Sequence, residues 1–280
     1  MQRNLISVSE LKARLKEPGC VVLDCRFSLA DPAAGLASFQ AGSLPGARFL
    51  DLEKDLSSAI TADSGRHPLP SVQVLLNRLN SLGIEPGQQL VVFDDCAGAM
   101  AARAWWMLRE LGFSVALLDG GLQAWQAAAG EVCQPVQRSA EAVSSMPVVA
   151  WPALSTDQVV RALEQKAVTL VDARAEARFR GEQEPIDPVA GHVPGALNRP
   201  LTDNLHDGQF KPAAQLRSEW LALLAGADPS GVVHMCGSGV TACHNLLAME
   251  IAGLSGSRLY AGSWSEWIRH PARPVATGAC

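Results

Sequence analysis

Val232-Val233-His234-Met235-Cys236-Gly237-Ser238-Gly239-Val240-Thr241-Ala242 sets a cysteine between an apolar run and a glycine-flanked loop. The apolar, β-branched run predicts a buried strand ending near Met235. Gly237, Ser238 and Gly239 are small and permissive enough for a tight loop. Thr241 to Gly253 then reads as a helix, with Leu246, Leu247, Met249 and Ile251 as its apolar component. Cys236 therefore falls between a strand end and a helix start. There, loop amides can turn inward as an anion nest and the helix adds partial positive charge. Both favour a thiolate, the nucleophilic form of cysteine. The competing reading is a buried structural cysteine, but a loop this small offers few side chains to hide beneath.

The chain has 280 residues, 48% of them hydrophobic, enough for one large domain or two ordinary ones. Its net charge of −5 is spread without long runs, which gives no footprint for nucleic acid or an anionic membrane surface. No apolar run is long enough to span a bilayer. Glu10, Lys12 and Arg14 interrupt the apolar residues of the first fifteen positions, unlike a signal-peptide core, so a cytoplasmic protein is expected. Seven cysteines (20, 25, 96, 133, 236, 243 and 280) form a scattered, odd set without a C-x-x-C, which argues for free thiols.

Along the chain, a short helix is predicted from Ser9 to Leu15 and strands at Val21–Asp24, Leu90–Asp94 and Ser114–Leu118. Helices are predicted over Ser71–Leu82, over Ala97–Leu111 and from Gly121 through Trp125. Gly130 to Ser155, with Pro135, Pro147 and Pro152 and no period, reads as a linker. The pattern then repeats. Leu170-Val171-Asp172-Ala173-Arg174 echoes Val22-Leu23-Asp24-Cys25-Arg26, and His192 to Leu197 echoes Ser43 to Arg48. Val232 to Cys236 echoes Leu90 to Asp94, and Tyr260 to Trp267 echoes Leu118 to Trp125. Two similar α/β domains in tandem follow, each a mostly parallel sheet with helices on both faces. The expected boundaries are 1–135 for the first domain, 136–155 for the linker and 156–280 for the second. Asp94 stands where the second half has Cys236, so a single active site is expected, in the second domain.

The G-H-x-P-G-A turn (Gly191 to Ala196) and the loop Cys236-Gly237-Ser238-Gly239-Val240-Thr241 resemble the two-domain rhodanese superfamily, and within it the 3-mercaptopyruvate sulfurtransferases. Trp105-Trp106-Met107, Leu118-Asp119-Gly120-Gly121-Leu122, Phe179-Arg180-Gly181 and Gly262-Ser263-Trp264-Ser265-Glu266-Trp267 carry the likeness almost end to end. The resemblance implies that Cys236 takes sulfur from a small-molecule donor as a persulfide, releasing pyruvate, and passes it to an acceptor thiol, thioredoxin or cyanide. It implies no cofactor and no metal. Ser238 and Asp51 match the family's other catalytic positions, and His67 and Arg178 its substrate contacts. Gly237, Gly239, Val240 and Thr241 complete the binding loop. One departure stands out. The family commonly has a second carboxylate-binding arginine after a Glu-Pro pair, whereas Glu184-Pro185 is followed here by Ile186, so that either another cation such as Arg199 substitutes or the preferred donor differs.

Thiosulfate is the closest rival donor, but Gly237, Ser238 and Gly239 supply no charge, which favours a monocarboxylate thiol. A Cys-x5-Arg phosphatase cradle needs arginine at 242, and that residue is alanine. A non-enzymatic persulfide carrier is opposed by the presence of Cys236, Ser238 and Asp51 together. Cys236, Cys243 and His244 lack the paired spacing of zinc ligands. Trp105, Trp106 and Trp125 are expected in the core, and Arg103 is expected to buttress the domain interface rather than touch substrate.

Overall fold

The computed structural model describes residues 3–135 and 150–279. The linker expected over 136–155 lies mostly outside these residues, as does Cys280. Of its described part, Ala153–Leu154 is a strand of the second sheet. The chain divides into two compact units, Met1–Ser58 with Leu69–Trp151, and Ala59–Pro68 with Pro152–Cys280. The short stretch Ala59–Pro68 thus departs from the first half of the sequence to join the second unit.

The first unit is built on β1 (Leu5–Ile6), β2 (Cys20–Asp24), β3 (Arg48–Phe49), β4 (Gln89–Phe93) and β5 (Ser114–Leu118). They form one sheet in the order β1-β5-β4-β2-β3, parallel at every pairing. Leu90, Val91, Val92 and Phe93 are all buried, as expected of a central strand covered on both faces. Helices occupy Val8–Arg14, Ala34–Ala41, Val72–Ser81, Ala101–Glu110 and Gly121–Ala127. The first begins at a capping box in which Ser7 and Glu10 satisfy each other's backbone N–H groups. Trp105, Trp106 and Trp125 lie in the core, as expected.

The second unit repeats this plan with β6 (Ala153–Leu154), β7 (Thr169–Asp172), β8 (Leu197–Asn198), β11 (Val232–Met235) and β12 (Arg258–Tyr260). Their order, β6-β12-β11-β7-β8, is that of the first sheet, again parallel throughout. An antiparallel hairpin, β9 (Leu205–His206) with β10 (Gln209–Phe210), is inserted. Helices run over Thr156–Glu164, Glu176–Phe179, Ala213–Leu224, Ala242–Ile251 and Ser263–Trp267.

The repeat extends to single hydrogen bonds. Cys25 N–H donates to Phe93 O at 2.8 Å, and Ala173 N–H to Met235 O at 2.9 Å. In each half a buried aspartate at the end of the second strand pairs with an arginine two residues on, Asp24 with Arg26 and Asp172 with Arg174. Each arginine also donates to the carbonyl just before the P-G-A turn motif, Gly42 O and Gly191 O, both at 2.7 Å. The D-x-R echo is therefore a device of the fold. Removing one partner of such a buried pair typically costs about 3–5 kcal/mol.

Candidate active site

β11 delivers Cys236 from the middle of the second sheet, between β7 and β12, and the residue is 1% exposed. Both backbone polar groups of Cys236 are engaged. Cys236 N–H donates to Ser263 Oγ at 3.1 Å, and Cys236 O accepts from Trp264 N–H at 3.0 Å. Gly237 O accepts from Ser265 N–H at 2.8 Å. The thiol is what remains for chemistry. Gly239 N–H points at it, 3.1 Å from Sγ, a fixed donor to whatever negative charge the sulfur carries. Gly239 holds φ = +77°, and a Cβ there would strike the Ala261 carbonyl oxygen, so the position takes glycine for two independent reasons. Val240 is buried, and Thr241 is the N-cap residue of the following helix without a side-chain capping bond.

Ser263 supports the loop from beneath. It is a non-glycine residue at φ = +54°, fully buried, and its hydroxyl donates to Tyr260 O at 2.9 Å while accepting from Cys236 N–H. The first unit has Gly121 at this place, with φ = +57°. Left-handed backbone at a non-glycine residue costs about 1–3 kcal/mol and persists where the surroundings over-determine it.

The Ala59–Pro68 segment completes the cluster. Ser64 O accepts from Arg269 Nε at 3.3 Å, Gly65 N–H donates to Glu266 Oε2 at 3.2 Å, and Arg66 N–H to Ser265 Oγ at 2.9 Å. These bonds bring buried His67 to Ser238, with 2.8 Å between Nδ1 and Oγ. His67, the expected substrate contact, is thus joined to the loop hydroxyl.

Two guanidinium groups flank the loop. A Cβ built on Gly237 would lie 3.1 Å from Arg66 Nη2 and 3.6 Å from Arg178 Nη1. Arg178 donates through Nε to both Glu184 oxygens at 3.1 Å and through Nη2 to Asp187 at 3.1 Å, while Arg66 Nη1 pairs with the other Asp187 oxygen. Burial opposes the charge on Glu184, but Arg178 and the N–H groups of Asp187 and Ile186 outweigh it and hold the carboxyl below its usual range. The loop residues are uncharged, but neighbouring arginines bring charge to Gly237. Arg178 takes acids at 184 and 187 as partners, whereas Arg174 is bound to Asp172 and Glu184.

The equivalent loop of the first unit shows what such a cradle holds. Asp94 Oδ1 accepts from Cys96 and Gly98 N–H at 3.0 and 2.8 Å, and Oδ2 from Met100 and Ala101 N–H, both at 2.8 Å. Four inward amides surround one carboxylate, an anion nest filled by its own side chain. The helix predicted from Ala97 starts at Ala101 for this reason: Ala97 and Gly98 take φ = +55° and +87° to wrap the carboxylate.

The remaining candidates have other partners. Asp51 belongs to the first unit, where its Oδ1 accepts from Glu53 and Lys54 N–H at 2.9 and 3.2 Å. Arg199, offered as the substitute cation, is spent on Asn204 Oδ1, Asp203 O and Glu219, with its guanidinium over Trp220. Arg103 is fully buried and donates to Leu56 O within its own unit. Cys243 Sγ donates to Gly239 O at 3.5 Å, and His244 stacks on Phe210. Arg66, Asp187, Glu184 and Ser263 were given no place in the site from sequence. The nearest signal was Arg66 itself, adjacent to His67.

Fold and site define a tandem α/β protein with one cysteine loop and one carboxylate-filled counterpart. A rhodanese-like domain model matches the chain at 7–128 and again at 155–270, and the chain belongs to that family. Its relatives are sulfurtransferases. It is 50% identical to a Pseudomonas aeruginosa protein named "Probable 3-mercaptopyruvate sulfurtransferase", over 98% of each chain. It is 40% identical to the Mycobacterium tuberculosis "Putative thiosulfate sulfurtransferase SseB", over 98% of this chain and 97% of that one. Among solved structures, the 3-mercaptopyruvate sulfurtransferase from Leishmania major superposes with a TM-score of 0.84 at 29% identity, covering 95% of this chain and 74% of that one.

Proposed function

We propose that this sulfurtransferase takes sulfur from 3-mercaptopyruvate through a persulfide on Cys236 and hands it to a thiol, thioredoxin or cyanide. The observation that carries the reading is the Gly239 N–H aimed at a buried Cys236 Sγ, whose own backbone is tied down on both sides. The thiolate attacks the donor sulfur, forming an S–S bond as the C–S bond breaks. The electron pair leaves as the pyruvate enolate, and the donor's thiol proton ends on the enolate carbon. The acceptor then attacks the outer sulfur and frees Cys236. Ser238, oriented by His67, carries the proton between donor thiol and enolate. Asp51 is assigned the same proton path on the family resemblance, and Arg178 the donor carboxylate.

The charges favour a monoanion. Arg66 and Arg178 balance Glu184 and Asp187, so a second negative charge on the donor meets a cluster already neutral. Thiosulfate is the second reading, supported by those same guanidiniums beside Gly237. Cytoplasmic location fits the free thiols Cys20, Cys25, Cys96, Cys133, Cys236 and Cys243; no helix among the described residues is long and apolar enough to cross a membrane.

The test is intact-protein mass after treatment with each donor. Mercaptopyruvate should add one sulfur, about 32 Da, located on Cys236 by peptide mapping and absent in Cys236→Ser. A sulfur found on another residue, or pyruvate released by Cys236→Ser at the parent rate, overturns the reading.

A further inference from the structure

The Ser263–Trp267 helix of the second unit holds two pieces of chain at once. Its backbone secures the cysteine loop, with Trp264 N–H on Cys236 O and Ser265 N–H on Gly237 O. Its side chains secure the Ala59–Pro68 segment. Ser265 Oγ accepts from Arg66 N–H at 2.9 Å, and Glu266 Oε2 from Gly65 N–H at 3.2 Å. Glu266 Oε1 accepts from Thr156 Oγ1, which itself lies 2.8 Å from the Tyr260 hydroxyl. The carboxylate is thus anchored on one oxygen and offers the segment the other. The packing is as close as the bonding. A Cβ on Gly65 would strike Gly262 O, and a Cβ on Gly262 would strike the Glu266 carboxylate. Gly262 has φ = −59°, open to any residue, so glycine stands there for room alone. The first unit offers an internal comparison. Its Gly121–Ala127 helix makes the same bond to its own loop, Leu122 N–H on Asp94 O, but has Gln123 and Ala124 in place of Ser265 and Glu266. Gln123 donates to Asp95 O of that loop, and Ala124 has no polar group to offer. The helix therefore forms without a carboxylate at this position, and the incoming segment is what the carboxylate serves.

We propose that Glu266, with Ser265, is a positioning residue that latches the Ala59–Pro68 segment so that His67 meets Ser238 in register with the cysteine loop. The inference rests on the reading of Ser238, oriented by His67, as the proton carrier, and names what fixes that orientation. His67 follows Gly65 and Arg66 directly, so pinning those two amides leaves its backbone little freedom. Ser238 follows Cys236 and Gly237, whose carbonyls are pinned by the same helix turn. Both members of the His67–Ser238 pair are therefore referred to one short helix. A misplacement of about 1 Å at a reacting pair costs on the order of 10²-fold in rate, which gives such a latch a kinetic consequence.

The experiment uses the full chain and two readouts: deuterium uptake by the Ala59–Pro68 peptide, and the single-turnover rate of sulfur loading on Cys236 at saturating mercaptopyruvate. In Glu266→Ala the peptide should exchange at least about tenfold faster, and loading should slow by about tenfold or more. Glu266→Gln keeps a carbonyl oxygen for Gly65 N–H and should recover most of both losses. In a His67→Ala background, adding Glu266→Ala should slow loading by no more than about twofold, because the side chain it positions is already gone. Ser265→Ala strips Arg66 N–H alone of its acceptor; it should act in the same direction, and it decides the matter if Glu266→Ala does not fold. Unchanged exchange overturns the proposal. So does unchanged loading where His67→Ala slows it, or an equal slowing with and without His67. If Glu266→Ala loosens the peptide but Cys236 takes no sulfur, or takes it at the parent rate in His67→Ala, the latch stands and the sulfur-carrier or proton reading is removed instead.

Discussion

At Cys236 the backbone N–H and carbonyl are spent on structure and the thiol is left out of that network, and the residue that faces the thiol is Gly239. Its N–H supplies the donor to sulfur, and its left-handed φ makes that donor point inward. Gly239→Ala should therefore lower stability by about 1–3 kcal/mol, from the strained φ and the collision with Ala261 O. It should also reduce persulfide formation at least tenfold, read by denaturant unfolding and by mass respectively. Loss of stability with full persulfide yield would show that the N–H is not needed by the sulfur. Cys236, Ser238 and the glycines were legible in the sequence because they are contiguous. Arg66 was not read as part of the site because no local pattern links it to Asp187 and Gly237 across more than a hundred residues. Charge within a loop can be read from its letters, whereas charge folded onto it cannot.

One strand-loop-helix element is used twice, with opposite contents. After β4 the cradle closes on Asp94, and after β11 it closes on Cys236. Leu122 N–H donates to Asp94 O at 2.9 Å as Trp264 N–H donates to Cys236 O at 3.0 Å, so the two residues are structural equivalents. Asp94→Ala should strip four amides of their acceptor and cost at least about 3 kcal/mol, given that hydrogen bonds to charged groups contribute 1.5–3 kcal/mol each. Urea unfolding of the full chain checks this, and a change below 1 kcal/mol would mean that water fills the nest as well as the carboxylate does. The strands were readable as short apolar runs, and Ser114–Leu118 falls where it was expected. The Ala213–Leu224 helix, which buries Leu216, Trp220 and Leu224, has no landmark in the repeat and was not read from it. The late start of the Ala101–Glu110 helix was equally hidden, because it depends on where one carboxylate turns.

For the whole molecule, acid is the condition that tests the core. His234 on β11 is fully buried, edge-on to Trp220 and 3.2 Å from Met249 Sδ, and burial pushes its pKa down to about 3. The native state therefore stays neutral there while the unfolded chain, near 6.5, takes up a proton. This contribution to stability is complete above pH 6.5 and is lost as pH falls toward 3, at no more than about 1.4 kcal/mol per pH unit. Glu219, held down to about 2 against its burial by Arg199, Lys211 and Gln215, adds a loss of the same sign below its ordinary value of 4.5. Melting temperatures at pH 7 and pH 4.5 should differ more for the parent chain than for His234→Gln, and equal differences would remove His234 as the cause. The tandem plan and the single cysteine loop were both legible from the repeated landmarks. The exchange of Ala59–Pro68 was not, since it breaks no periodicity. That exchange bears on how the chain can be divided. A fragment starting at Pro152 would carry Cys236 yet lack both His67 and Arg66, so the gene cannot be trimmed to its second half and still encode every side chain that meets the cysteine loop.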